Sequence, residues 1–265
     1  MKNLISISDA IFHRQDGVIE RHDGFHVIRT PDNPNFWFGN FILFDRPPQE
    51  GEVDRWLEAH RQTFGDQLNH VTFAWDEPSP GATRQFLELG FEESNGIALS
   101  ITEHPEAART NPELEIRALQ SDDDWQAMIS QQERIDREDF AYPEGDGLFR
   151  KRQMAGARRM AEAGHGDWWG AYLRDLLVGG MGLFFDEHRS LGRFQCVTTV
   201  AEFRRKRVCT TLLDHVVRHA FKTVNPAQLI ICTGAEEENA AIPVYRNFGF
   251  KEAMRGYAVI RKPES

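Results

Sequence analysis

Two stretches of the chain repeat one succession of apolar and polar positions. "VTFAWDEPSPGATRQFLELGFEE" (71–93) and "IICTGAEEENAAIPVYRNFGFKE" (230–252) align without gaps at an offset of 159 residues. In each, a run of aliphatic, β-branched and aromatic residues predicts a strand, a polar connection follows, and a helix closes on a large apolar residue, Gly and Phe. Leu89-Gly90-Phe91 thus matches Phe248-Gly249-Phe250. A glycine there suits the left-handed backbone that ends a helix before the chain enters another strand.

The match extends on both sides. Helical patterns precede the two strands, in "EVDRWLEAHRQTFG" (52–65) and "TTLLDHVVRHAFKT" (210–223), and apolar strands follow, "GIALSI" (96–101) and "GYAVI" (256–260). The chain therefore reads as two copies of one α/β unit, residues 1–105 and 112–265, joined near "TEHPEAARTNPE" (102–113), where the apolar period lapses. The second copy is the fuller. "LEIRALQ" (114–120) predicts a strand, and "SDDDWQAMISQQERI" (121–135) a helix capped by Ser121 with aspartates in its first turn. After the polar stretch "DREDFAYPEGDG" (136–147) comes a basic helix, "LFRKRQMAGARRMAEAG" (148–164). "DWWGAYL" (167–173) and "LLVGGMGLFF" (176–185) read as strands joined at Arg174-Asp175, and "GRFQCVTTV" (192–200) as the next strand. The expected fold class is α/β (α+β), with two domains, each a mixed, largely antiparallel sheet flanked by helices.

Composition narrows the function. The 265 residues, 40% hydrophobic and 27% charged, suffice for two ordinary domains with real cores. A net charge of −10 argues against a general nucleic-acid binder. The acid excess sits in residues 1–110, with 9 basic and 18 acidic residues, whereas 111–265 hold 22 and 23, so the second half can carry a local positive site. No apolar run approaches the roughly 18 residues of a bilayer span and the start lacks a signal pattern, so the protein is expected to be cytoplasmic and to meet no membrane. Cys196, Cys209 and Cys232 are widely spaced and read as small buried hydrophobes. With no Gly-x-Ser-x-Gly elbow and no metal-like histidine spacing, neither a hydrolase nor a metal is expected.

The local positive site is "AEFRRKRVCTTLL" (201–213), where Arg204, Arg205, Lys206 and Arg207 lead into a helix. Alone, four cations read as a solvated surface or an interaction patch. Together with the order of elements and with "NAAIPVYRNFGF" (239–250), they make the second copy resemble the GNAT superfamily of acyl-coenzyme A-dependent N-acyltransferases over about residues 115–262. The first half resembles it more weakly, as a trimmed copy. The family's cofactor loop runs Arg or Gln, two residues, Gly, one residue, then Gly or Ala. Arg204 takes the first position, Arg207 stands in place of the first glycine and Cys209 in place of the second. Such a loop holds a pyrophosphate on successive backbone N–H groups at a helix N-terminus, and glycines permit close approach. Without them the amides stay and the extra cations compensate, which leaves tight and weakened coenzyme binding both open.

The resemblance implies acetyl-coenzyme A as co-substrate. It would be held by Val197, Thr198, Thr199 and Val200 at the strand end and by Arg204, Arg205, Lys206, Arg207, Val208, Cys209 and Thr210 in the loop and helix start. Asn239 would meet the coenzyme arm, and Tyr245 would protonate the departing thiolate; by periodicity alone Tyr245 is a buried aromatic. The implied reaction is direct attack of a primary amine on the thioester, its carbonyl polarised by the backbone of "QCVTTV", with Cys209 structural. The acceptor would be a small-molecule or peptide amine, and the protein a monomer or homodimer. Glu202, Asp139, Glu144, Asp146 or a water chain would supply the base. The same residues are compatible with a catalytically degenerate acyl-coenzyme A-binding or regulatory module.

The first copy has no such loop. "NFILFDRPPQEGEVDRWL" (40–57) places two prolines without N–H donors and several acids there, and Phe86 stands where Tyr245 stands. This copy is expected to bind no coenzyme, with Phe36-Trp37-Phe38 either walling the acceptor site or buried in the copy's own core, as an aromatic run more often is.

Overall fold

A computed structural model describes residues 1–106, 108–140, 148–236 and 239–263. In chain order the regular elements are α1 (Leu4–Asp16), β1 (Val18–His22), β2 (Phe25–Arg29), β3 (Phe41–Phe44), α2 (Val53–Phe64), β4 (Val71–Trp75), α3 (Arg84–Glu88), β5 (Glu92–Glu93) and β6 (Gly96–Ile101). There follow β7 (Leu114–Ala118), α4 (Asp122–Ile135), α5 (Phe149–Glu162), β8 (Gly166–Leu173), β9 (Leu176–Phe185), β10 (Leu191–Thr199), α6 (Val208–Thr223), β11 (Gln228–Gly234), α7 (Ala241–Phe248) and β12 (Lys251–Arg261). From β7 to β12 the order is the one expected from the apolar periodicity. The chain is mixed α/β, with largely antiparallel sheets flanked by helices.

The elements gather into two units, neither of them a single stretch of chain. One comprises Met1–Ala98, Cys232–Asn239 and Glu252–Ser265; the other comprises Leu99–Ile231 and Ala240–Lys251. In the first unit β1, β2, β3, β4 and β12 lie side by side. The β3–β4 pair is parallel and the others are antiparallel, and β12 sets Tyr257 opposite Trp75 and Arg261 opposite Val71. The core forms on α2, whose buried Val53, Trp56, His60 and Phe64 recur at helical spacing. Trp56 stacks on Phe44 at 3.8 Å and meets Phe73, Trp75 and Phe86 edge-on. Such aromatic pairs each add about 1 kcal/mol beyond the area they bury.

In the second unit β7, β8, β9 and β10 are antiparallel neighbours and β11 joins β10 in parallel. The β8–β9 hairpin turns at Arg174-Asp175 with Arg174 left-handed (φ 56°), as a two-residue connection requires. Ser121 and Asp124 form a reciprocal cap on α4, and Arg117 grips the same carboxylate at 2.7 Å. α6 buries Val208, Leu212, Leu213, Val216, Val217 and Ala220 on one side. The close approach of α6 to β9 needs Gly179, where a Cβ would stand 2.7 Å from Val208 Cγ1 and 2.8 Å from the Thr198 carbonyl oxygen. No helix among the described residues is long and apolar enough to cross a membrane.

Candidate functional site

The site is built where β10 ends and α6 begins. Against β9, Gln195 pairs with Gly182 and Thr198 with Gly180, so Cys196 and Val197 together stand opposite the single Met181. This is a β-bulge, with Cys196 left-handed at φ 44°. Bulges release backbone groups from the ladder and re-aim side chains, and they recur beside active sites. Thr198 is held from the other side, its Oγ1 accepting from Gln132 Nε2 at 2.9 Å. Sequence reasoning placed Val197, Thr198 and Thr199 at a strand end; all three are half-buried there, and Val200 is buried. The bulge itself left no signal in the sequence, because neither Cys196 nor its neighbours are residues that favour φ above zero.

Beyond a short 3-10 turn, Ala201–Phe203, the four basic residues are all exposed. Arg204 Nε donates to the Thr199 carbonyl at 3.3 Å, and Lys206 Nζ lies 5.0 Å above the Phe203 ring. The side chains of Arg205 and Arg207 form no ion pair among the described residues. Arg205 and Arg207 both adopt left-handed backbones, at φ 60° and 64°. Arg207 is the N-cap of the 16-residue α6 and gives it no side-chain cap. The first intrahelical N–H is that of Thr211, bonded to the Arg207 carbonyl at 3.0 Å, so the N–H groups of Val208, Cys209 and Thr210 have no helical acceptor. Uncapped amides, the positive end of a long helix and four cations coincide here, an arrangement suited to a polyanion.

Tyr245 and Cys209 are neighbours in this unit. Tyr245 is buried on α7 beside Phe250, and its hydroxyl makes no hydrogen bond among the described residues. Burial, with a smaller contribution from Cys209, raises its phenol well above the usual value, so it stays protonated. Cys209 keeps some exposed surface, but the atoms crowded about its thiol push it up to about 12, which removes the nucleophilic thiolate. All three cysteines are half-buried, not buried as the sequence suggested, and none forms a disulfide. For Cys196 the reason is the bulge, which turns its thiol toward Arg150.

The other expected residues lie as follows. Asn239 belongs to the first unit and donates to Thr233 Oγ1 and the Gly234 carbonyl, each at 2.8 Å. Glu202 is exposed and ion-paired with Arg134; its own backbone N–H and that guanidinium hold its carboxyl below the usual value, which weakens it as a base. Glu144 and Asp146, and the side chain of Asp139, lie outside the described residues. Phe36 and Trp37 are half-buried, and Phe38 is exposed. In the first unit Phe86 is buried against Trp56, Phe73 and Phe91. The loop before α2 is occupied by its own acid: Glu52 is gripped by Arg46 at 2.5 and 2.7 Å and accepts from the Gln49 N–H at 3.0 Å. Among the described residues no group of three or more His, Cys, Asp or Glu side chains could hold a metal ion.

Comparison with known proteins gives a family match over part of the chain and a shared fold over most of it. Residues 129–250, which contain the bulge, the basic loop and Tyr245, match the model of the Acetyltransferase (GNAT) family. The fold is shared along nearly the whole chain with a conserved protein of unknown function from Staphylococcus epidermidis (TM-score 0.73, 15% identity, covering 94% of this chain and 96% of the other). It is shared equally widely with a GCN5-related N-acetyltransferase from Kribbella flavida (TM-score 0.65, 15% identity, 98% and 95%). A tandem GNAT protein from the clavulanic acid biosynthesis pathway is similar over 85% of this chain and 76% of its own (TM-score 0.56, 11% identity). No curated protein sequence matches.

Proposed function

We propose that the second unit is an N-acyltransferase that moves an acetyl or related acyl group from acetyl-coenzyme A to a primary amine by direct attack. The observation that supports this reading is the uncapped start of α6, where Arg207 keeps the left-handed backbone of a glycine and three N–H groups lack helical acceptors beside four exposed cations. These residues fit a pyrophosphate: the amides supply directional donors, and Arg204, Arg205, Lys206 and Arg207 supply charge. The co-substrate brings an activated thioester, and the chain's task is to orient it and manage one proton. Backbone groups freed at the Gln195–Thr198 bulge polarise the carbonyl. Tyr245, kept protonated by burial, donates to the leaving sulfur. Cys209 takes no covalent part.

The first unit is proposed to be a degenerate copy that binds no coenzyme, since Glu52 already neutralises Arg46 and engages the Gln49 amide at the loop where a phosphate would need them. A binding module without turnover is the second reading, favoured by the capture of Glu202 by Arg134. Acetyl transfer to a broad panel of primary amines separates the two. The enzyme reading predicts thiol release with at least one amine, and a Tyr245→Phe variant that binds acetyl-coenzyme A normally but turns over about 100-fold more slowly. Unchanged turnover in that variant contradicts the role given to Tyr245, and saturable binding with no turnover on any amine supports the module.

A further inference from the structure

The second unit holds a buried guanidinium to which the reaction above gives no role. Arg150, in the first turn of α5, keeps only 15% of its side chain exposed. Its Nε and Nη2 donate to the two carboxylate oxygens of Asp136 at 2.5 and 2.7 Å. Its Nη1 donates to Gln153 Oε1 at 2.5 Å and lies 3.6 Å from Cys196 Sγ. Asp136 opens a π turn, Asp136–Phe140, at the end of α4, and Cys196 is the left-handed residue of the β10 bulge. One side chain therefore ties together the end of α4, the start of α5 and the bulge.

Each part of this cluster is unfavourable on its own. A buried ion pair is often no more stabilising than apolar residues of the same volume. A left-handed non-glycine residue and a π turn are both less favourable than regular backbone. Such features persist where the surroundings over-determine them, and they concentrate at functional sites. The bulge is also the one part of the cluster whose backbone the proposed chemistry uses.

We propose that Arg150 is a positioning residue for acyl transfer. Through Cys196 and Gln153 it fixes the bulge, so that the backbone between Gln195 and Thr198 keeps the orientation that polarises the thioester carbonyl. Through Asp136 it holds the π turn in place. This rests on the acyltransferase reading, and it makes kcat the sensitive quantity while the affinity for acetyl-coenzyme A is left alone.

The test is acetyl transfer from acetyl-coenzyme A to the primary amine of the panel above that gives the fastest turnover, followed as thiol release above the uncatalysed rate. It compares wild type, Arg150→Met and the double variant Arg150→Met/Asp136→Leu, with thermal midpoints and amide exchange in Val197–Thr199. The double variant removes both buried charges together and so keeps the fold. Both variants are expected to lose about 30-fold in kcat with the KM for acetyl-coenzyme A within about twofold, as a small misplacement of a reacting group implies. The double variant is expected to melt with wild type while its Val197–Thr199 amides exchange about tenfold faster. Asp136→Asn, which is isosteric and releases one half of the fork, lowers kcat in the same sense and decides the matter where the double variant folds poorly. A folded double variant, or Asp136→Asn, with wild-type kcat overturns the proposal and leaves the acyltransferase reading standing. Absence of turnover in the wild type on every primary amine, with or without acetyl-coenzyme A binding, overturns that reading, and the proposal falls with it.

Discussion

Arg207 takes a backbone conformation that glycine favours without being glycine. The loop needs a left-handed backbone before α6, and Arg207 supplies it at φ 64° where glycine would do so without steric cost. A non-glycine residue there costs about 1–2 kcal/mol. Arg207→Gly should therefore raise the unfolding free energy by up to about 1 kcal/mol, part of the relief being offset by the flexibility glycine adds to the unfolded chain, read as a higher urea midpoint with unchanged slope. An unchanged or lower midpoint would show that the arginine backbone is unstrained. The sequence set Arg207 just before a helix, where the structure has it as the N-cap of α6, but could not disclose its conformation, because the residue that normally announces φ above zero is absent. Periodicity read Tyr245 as a buried aromatic, which it is, whereas its protonation is a property of packing. Burial raises the phenol from its reference of 10.0, so it stays protonated as pH climbs, and in the proposed role of donor it predicts a kcat that holds from pH 7 to 9.5 if no other group titrates. A loss of kcat in that range that disappears in Tyr245→Phe would contradict the raised value.

Elements with a strong period were the easiest to read. α4 begins where Ser121 predicted, and the cap is reciprocal with Asp124, so Ser121→Ala should lower stability by about 1 kcal/mol in denaturant unfolding. β9 and β6 coincide with their apolar runs. The β1–β2 hairpin had a usable signal in Asp23-Gly24, with Gly24 at φ 85°, between "VIERH" and "FHVIR". α2 carries a feature that periodicity alone cannot weigh, a histidine among the buried positions of an aromatic core. His60 is 6% exposed and lies against Phe64 and Phe73. Burial, followed by repulsion from His70 and Arg261, lowers its pKa from 6.5 to about 4. Between these values the unfolded state holds the extra proton, so stability falls as pH drops from 6.5 to 4, by roughly 3 kcal/mol in total. Thermal unfolding across that range should show the loss, and His60→Leu should flatten it. An equal slope in the variant would place the acid sensitivity elsewhere.

At the scale of the molecule, the repeat was legible because both copies keep the strand, the polar connection and the glycine that ends the helix. Which strands would pair was not legible. β12 follows α7 in sequence and pairs antiparallel with β4 in the first unit, and a short apolar strand such as "GYAVI" carries nothing that distinguishes one neighbouring strand from another. The charge asymmetry was informative in the opposite way: an acidic chain that gathers four cations at one helix start has a local reason for them. That reason is the central claim, and calorimetric titration of acetyl-coenzyme A into the full chain tests it most directly. The account predicts saturable binding at one site per chain, weakened when Arg204 and Arg205 are replaced by alanine and weakened by added salt. Absence of binding at millimolar acetyl-coenzyme A would contradict it.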